Sequence, residues 1–229
     1  MKRLRILGLS LLALFAFGAV MAGVALGAEE GALPPQNFTI KGGEQKLENL
    51  NGESITCKTV KGEGVPLPEK EPDRDTHSTG TLDFEGCTAL GAPANSLGDA
   101  SGTILAKVLY LLCLVESKKL VWGVLVAPKE LPFHIEVPLV KALILVKGAI
   151  IGLLLTKLKG AELEGEPEVK EIGVIFVKED PPTKKCSLTE LGTWTASYEA
   201  ALDTKVDVDA WQVGEADITF AAATKLMDK

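Results

Sequence analysis

From residue 37 onward the chain is a series of short runs rich in Val, Ile, Leu and Thr, each broken by Gly, Pro or charge. Runs of that length and β-branched content favour strands over helices. The pattern predicts strands at 38–41, 54–60, 79–85, 102–116, 120–127, 133–137, 139–146, 149–157, 172–178, 193–203 and 216–222. About eleven strands with turn signals between them predict an all-β fold, a mostly antiparallel β-sandwich. Two hairpins stand out. Residues 104–115 and 120–127 flank the polar turn Glu116-Ser117-Lys118-Lys119. Residues 139–146 and 149–155 flank Lys147-Gly148, where glycine supplies the positive φ of a tight turn. Both pairs are apolar on successive positions, as expected of strands covered on both faces. Pro128, Pro132 and Pro138 lack an amide donor and belong at strand ends or on an edge.

Helical periodicity is weak. The strongest helical alternative, 140–158, contains Gly148 and Gly152 among β-branched residues, which oppose a helix. Lys141, Lys147 and Lys157 also oppose a membrane span there, since a central Lys costs about 2.5–3.5 kcal/mol on insertion. Residues 61–78 carry Pro66, Pro68 and Pro72 and read as a polar loop. Residues 161–171, with Glu162, Glu164, Glu166, Glu168 and Glu171, read as a solvated acidic loop.

The N-terminus departs from this pattern. Lys2, Arg3 and Arg5 precede 23 uncharged residues, 6–28, that are Leu- and Phe-rich first and small at the end, before Glu29 and Glu30. This is the layout of a secretory signal peptide, with cleavage after Gly27 or Ala28. The alternative is an uncleaved anchor, since a run of that length can span a bilayer. The expected organisation is a signal peptide at 1–28, a flexible leader at 29–36 and a single β-sandwich domain at 37–229, with no stable transmembrane segment after cleavage. No cysteine precedes Cys57, so a lipid anchor has no site.

The remaining composition narrows the function. Hydrophobic residues make up 46% of the 229, enough for a packed core. The formal charge is -7, and losing Lys2, Arg3 and Arg5 with no acidic residue makes it -10. An acidic surface without a Lys/Arg cluster repels a phosphate backbone, which excludes nucleic acid as a partner. In an exported chain the four cysteines are expected to oxidise. Cys57 and Cys87 each sit in a strand-like stretch and flank the loop, so they are the expected pair. Cys113 and Cys186 either form a second pair or stay free, Cys113 lying in an apolar run. No C-x-x-C spacing supports a redox or zinc motif.

Material for chemistry is sparse. Asp73, Asp75 and His77 form the densest polar cluster but match no ligand spacing. His134 and Glu136 share one face of a strand without a third partner. Asp203, Asp207 and Asp209 lack the glycine turn and terminal Glu of a calcium loop. Asn37-Phe38-Thr39 fits a glycosylation acceptor. No zinc-protease, nucleophile-elbow, phosphate-loop or dinucleotide motif occurs. Neither a metal nor a cofactor is implied. Trp194 and Tyr198, four apart in one predicted strand, share a face on which a sugar ring can stack.

Ile55-Thr56-Cys57, then Gly80-Thr81-Leu82-Asp83-Phe84-Glu85-Gly86-Cys87, and later Val146-Lys147-Gly148-Ala149-Ile150-Ile151-Gly152, resemble a pattern in exported β-rich proteins of actinobacteria. The resemblance implies export and an all-β fold, and no activity. The sequence therefore predicts a noncatalytic extracellular or cell-envelope protein with a structural or binding role. Cell-wall polysaccharide and another envelope protein are the expected partners. The alternatives are a carbohydrate-binding module using Trp194 and Tyr198, and a hydrolase using His77 or His134 with a carboxylate.

Overall fold

The computed structural model describes residues 31–32, 36–67, 77–116, 121–130, 133–156, 160–165, 167–178, 185–188, 192–195, 197–202 and 208–228. Among them are eighteen strands. The first six are β1 (Gly31–Ala32), β2 (Phe38–Asn49), β3 (Ser54–Cys57), β4 (Thr59–Pro66), β5 (His77–Glu85) and β6 (Thr88–Ala89). Next come β7 (Ala92–Pro93), β8 (Asn95–Ser96), β9 (Thr103–Glu116), β10 (Val121–Pro128), β11 (Phe133–Val137) and β12 (Ala142–Leu155). The last six are β13 (Glu168–Phe176), β14 (Lys185–Leu188), β15 (Gly192–Thr195), β16 (Ser197–Leu202), β17 (Val208–Lys225) and β18 (Met227–Asp228).

Eight of these strands close into a barrel. β2, β4, β5, β9, β10, β12, β13 and β17 pair antiparallel in that order, and β17 returns to pair with β2. The ring follows chain order, so this is an up-and-down barrel with extra strands. The all-β, antiparallel expectation holds. The expected eleven-strand sandwich does not, because β2 and β17 meet along Phe38–Phe220 to Asn49–Ala210. A local alternation of apolar and polar positions is the same in a sandwich and in a barrel. Which of the two forms depends on whether the first and last strands find each other.

Alternate residues of each barrel strand fill the interior. On β9 these are Ala106, Val108, Tyr110, Leu112 and Leu114, and on β10 Trp122, Val124 and Val126, all in one buried cluster. Phe38 packs edge-on against Tyr110 and Phe220, with ring centroids 5.3 and 5.9 Å away. Its ring also covers Gly64, where a Cβ would stand 2.0 Å from Phe38 Cζ. That contact explains why 61–66 form strand β4 rather than the expected loop. The inward positions Gly62 and Gly64 carry no apolar side chain, so the run has no hydrophobic signature, yet Leu82 and the Phe38 ring fill their space. Residues 68–76 of that expected loop lie outside the described residues.

One end of the barrel is sealed by 160–165. Leu163 is buried in the barrel core, its amide donates to Leu154 O at 2.8 Å, and Trp122 Nε1 donates to Gly165 O at 2.6 Å. The expected acidic loop is thus divided. Glu162, Glu164, Glu168 and Glu171 are exposed as expected, while Leu163 between them is core and Glu168 already begins β13.

Towards the other end, the long strands run past the barrel and carry a second core. Ile55, Cys57, Cys87, Ala89, Ile104, Ile135, Val137 and Ile144 meet there. The Cys57–Cys87 disulfide lies inside this core and closes a separation of 30 residues, as the sequence predicts. β12 shows how one strand serves both cores. Residues 142–146 pair with β11, and residues 150–153 with β10. The expected 139–155 hairpin is absent: β12 continues through Lys147-Gly148. Gly148 does take a positive φ of 88°, but the strand runs on through it, its pairing with β16 unbroken from Ile144 to Ala149. The reversal falls earlier, at Pro138–Val140, where Lys141 adopts φ 54°. The other expected hairpin forms, with Val121 opposite Glu116.

A third cluster, Leu111, Cys113, Leu125, Ala149 and Ile151, faces outward from the barrel. β14 lies beside β9 there, with Ser187 opposite Leu114, and pairs with β15. Cys113 is disulfide-bonded, which removes the free-thiol alternative. Within the expected 29–36 leader, β1 pairs with β18. Residues 1–30 lie outside the described residues. No helix among the described residues is long and apolar enough to cross a membrane.

The bonding of Cys57, Cys87 and Cys113 makes a direct prediction. Peptide mapping of the unreduced protein is expected to recover Cys57 linked to Cys87 and Cys113 linked to Cys186. The double variant Cys57→Ser, Cys87→Ser is expected to unfold at lower denaturant, a loss of about 3–4 kcal/mol by chain entropy, measured by urea titration.

Candidate ligand cavity in the barrel

The two cores do not pack flush. Between them lies a cavity of about 80 Å³, lined by β2, β3, β5, β9, β10, β11, β12 and β17. Its wall includes Leu82, Phe84, Val108, Val126, Phe133 and Ile150. A smaller compartment of about 30 Å³ adjoins it deeper in the barrel and shares Gln45, Leu82, Phe84, Val126 and Gln212 with it. Leu82, Phe84, Phe133 and Ile150 are only partly buried. Eight strands make a barrel that side chains nearly fill, with room for one small molecule at most.

The polar content of this space comes from few positions. A bulge in β2 places Gln45. Along the β2–β17 pair the register steps from Gln45–Gly214 to Gly42–Ala216, three residues of β2 against two of β17. Phe38 and Ile40 face inward before the bulge, and Gln45 and Asn49 are the buried positions after it. A one-residue slip flips the facing of every following side chain, and here it turns an amide into an apolar lumen. Gln45 Nε2 donates to Glu215 O at 3.0 Å, and Gln45 Oε1 accepts from Gln212 Nε2 at 3.0 Å. Gly214 makes the space for this, since a Cβ there would lie 2.1 Å from Gln45 Oε1.

Tyr110 lines the deeper compartment. It is 2% exposed and its hydroxyl has no hydrogen-bond partner. Asp83 Oδ1 and Trp211 Nε1 are also buried without partners, but neither residue lines either compartment. Burial first, and the Glu63 charge second, push the Tyr110 phenol well above the usual tyrosine value of 10.0. The phenol is therefore a neutral donor across the physiological range.

Among the described residues, no Lys, Arg, His, Asp or Glu lines either compartment. Charges sit outside the barrel instead. Lys61 Nζ pairs with Glu85 at 2.8 Å, and Lys46 beside Glu48 holds that carboxyl below its ordinary range.

The residues singled out in the sequence lie elsewhere. His77 is buried at the start of β5, opposite Leu111. Asp73 and Asp75 lie outside the described residues, as do Asp203 and Asp207, while Asp209 is exposed on β17. His134 and Glu136 share the outer face of β11, as their spacing requires. His134 lines a surface groove of about 320 Å³ with Asp99, Lys107 and Glu130. Asp99 Oδ2 accepts a 2.7 Å bond from Ser96 Oγ, and no described carboxylate hydrogen-bonds the His134 ring. Among the described residues, no three acidic, His or Cys side chains group to hold a metal ion. Trp194 and Tyr198 fall on different strands, β15 opposite Cys186 and β16 opposite Gly148, so 193–203 is not one strand. Their side chains lie outside the described residues.

Sequence reasoning missed the cavity because its wall is drawn from eight strands and contains no reactive residue. The one local signal was Gln45, a polar side chain two positions from Leu47 next to Gly42-Gly43. A bulge can be suspected from such a pair of glycines in a strand.

The raised phenol pKa is testable. In a Tyr198→Phe variant, Tyr110 is the remaining tyrosine of the chain. Its phenolate absorbance is expected to stay absent past pH 10 and to emerge together with unfolding. Below pH 10 the shift changes stability little. Above it the unfolded phenol ionises while the folded one keeps its proton, so stability falls as pH rises. A phenolate signal near pH 10 in folded protein contradicts this.

No known protein family, curated protein or solved structure matches the chain, so the functional reading rests on this geometry.

Proposed function

We propose that the chain is a noncatalytic binding protein of the extracellular space or cell envelope that holds a small apolar ligand in its barrel. The observation that carries the reading is the apolar cavity where the barrel core meets the second core. A natural interior is close-packed, so a cavity at the meeting point of two cores is the place in this fold where a ligand can be held. Catalysis by proton transfer needs a titratable group beside the reacting atom. The lumen offers amides, a disulfide sulfur and a neutral phenol. Export is supported by the basic-then-apolar N-terminal segment and by disulfide-bonded cysteines. The surface groove beside His134 carries charges of both signs and is a weaker site for an apolar molecule.

Methyl NMR under xenon tests the lumen, xenon being small enough for a cavity of about 80 Å³. Saturable shifts are expected at Val108, Val126, Ile135 and Ile150, with no shifts at the outward Val177. Ala106 lines the cavity, and Ala106→Leu fills it. That variant is expected to fold, to keep its stability within about 1.5 kcal/mol and to lose the shifts. Absence of saturable shifts in the unaltered protein overturns the lumen reading. Export has a separate test. N-terminal sequencing of protein recovered outside the cells is expected to begin at Ala28 or Glu29, and retention of the full chain in the cytosol contradicts it.

A further inference from the structure

We infer that the surface groove beside His134 is the mouth of the barrel cavity, and that the Phe133 ring is the movable plug between them. This rests on the lumen reading above and adds the route by which a ligand enters.

The first observation is a break in an alternation. Along β9, Ile104, Ala106 and Val108 line the cavity, while Leu105 and Lys107 line the groove. One strand is therefore the wall between the two spaces, its inward residues on one and its outward residues on the other. β11 keeps the rule at Ile135, which lines the cavity, and at His134, which lines the groove. Phe133 breaks the rule by lining both.

The second observation is an interruption of the sheet at the same place. β9 pairs with β10 as far as Val108 opposite Pro128. Lys129 N then donates to Lys107 O, and the amide and carbonyl of Leu105 are met by one side chain, the Ser96 hydroxyl. On the other flank, β12 pairs with β11 through Val146 and with β10 only from Ile150. Among the described residues, no ladder of backbone hydrogen bonds joins the end of β10 to the start of β11. Phe133 stands at the rim of this gap and packs against both cores.

A plug so placed can move. Phe133 is the first residue of β11 and pairs with Val146 on one side, while β8 reaches no further than Ile135 and Glu136 on the other. Strand ends open at lower cost than strand centres. The ring has space on both sides, about 80 Å³ within and about 320 Å³ outside. A rotation that carries it outward enters the groove and displaces no close-packed interior. The groove also suits an arriving apolar molecule. Leu97 is 68% exposed and Leu105 39%, and Lys107 and Glu130 stand beside them. An exposed apolar patch rimmed by polar side chains marks a binding groove.

The test measures the rates of xenon entry and release by saturation-transfer NMR in the full-length protein and three variants. Leu105→Trp puts an indole in the groove from an outward position and leaves the cavity wall as it is. It is expected to slow entry and release about fivefold each, with the xenon affinity unchanged, because an obstacle on the path raises one barrier for both directions. Phe133→Ala removes the plug and is expected to speed entry about tenfold. Ile150→Ala enlarges the cavity from a position that does not line the groove, and its entry rate is expected to stay within about twofold. Entry rates unchanged in both Leu105→Trp and Phe133→Ala overturn the mouth and leave the lumen reading intact. So does a Leu105→Trp variant that changes affinity and not rate, which would place xenon in the groove itself. Slowing by Leu105→Trp without acceleration by Phe133→Ala, or equal acceleration by Phe133→Ala and Ile150→Ala, overturns Phe133 as the plug. No xenon binding by the unaltered protein overturns the lumen reading and the mouth with it. If Phe133→Ala fails to fold, Phe133→Leu takes its place, with faster entry again the expected result.

Discussion

The pairing of β2 with β17 is the constraint on which the rest of the molecule depends. It brings the start of the domain, Phe38, opposite Phe220, near the end of the chain. Every other barrel contact joins strands that follow one another in the ring order of the chain. Left open, an eight-strand meander has two long edges with unpaired amides and carbonyls, each a template for aggregation. Closure removes both edges and creates an inside. It also sets the order of events in folding, since a contact between chain ends pays its loop entropy before any neighbour rewards it. The disulfide does not relieve this burden. Cys57 and Cys87 lie in the second core, and their link shortens a loop that the meander already brings together.

The second consequence of closure is geometric. β2, β12 and β17 are longer than the barrel requires, and their ends must turn away to hold the second core. In β12 the partner on one side changes from β11 to β10, while the pairing with β16 runs unbroken through Gly148. In β2 the bulge reverses the facing of later residues. Two cores built on shared strands with different curvature leave space at their junction. The cavity is therefore a product of the architecture, and the bulge decides that its wall contains Gln45.

Much of this was legible in the sequence, and the limits are physical. The runs that become β9, β10 and β11 read as strands because their apolar side chains meet other apolar side chains on one face or both. The Cys57–Cys87 pair was legible because both residues bracket a single loop. β4 was not, because Gly62 and Gly64 rely on Leu82 and Phe38 to fill their space. A glycine reports nothing about the side chain that covers it. Lys147-Gly148 misled because a glycine takes a positive φ inside a continuous strand as readily as in a turn. Barrel closure was illegible since no local pattern encodes which strand meets which across the whole chain.

The contrast between outside and inside bears on what the proposed lumen would accept. The chain carries a formal net charge of -7, while the described residues lining the two compartments carry none. Under the proposed reading, electrostatic steering has no part in ligand entry, because a neutral molecule is not drawn by the field. Selection inside rests on desolvation alone. An apolar body gains by leaving water, and a charge loses heavily. A wall of this kind discriminates sharply by charge and weakly by shape, since Leu, Val and Ile side chains distinguish a methylene by little. The chemistry that makes the barrel stable, apolar side chains packed from every strand, is the same chemistry that sets what it can hold.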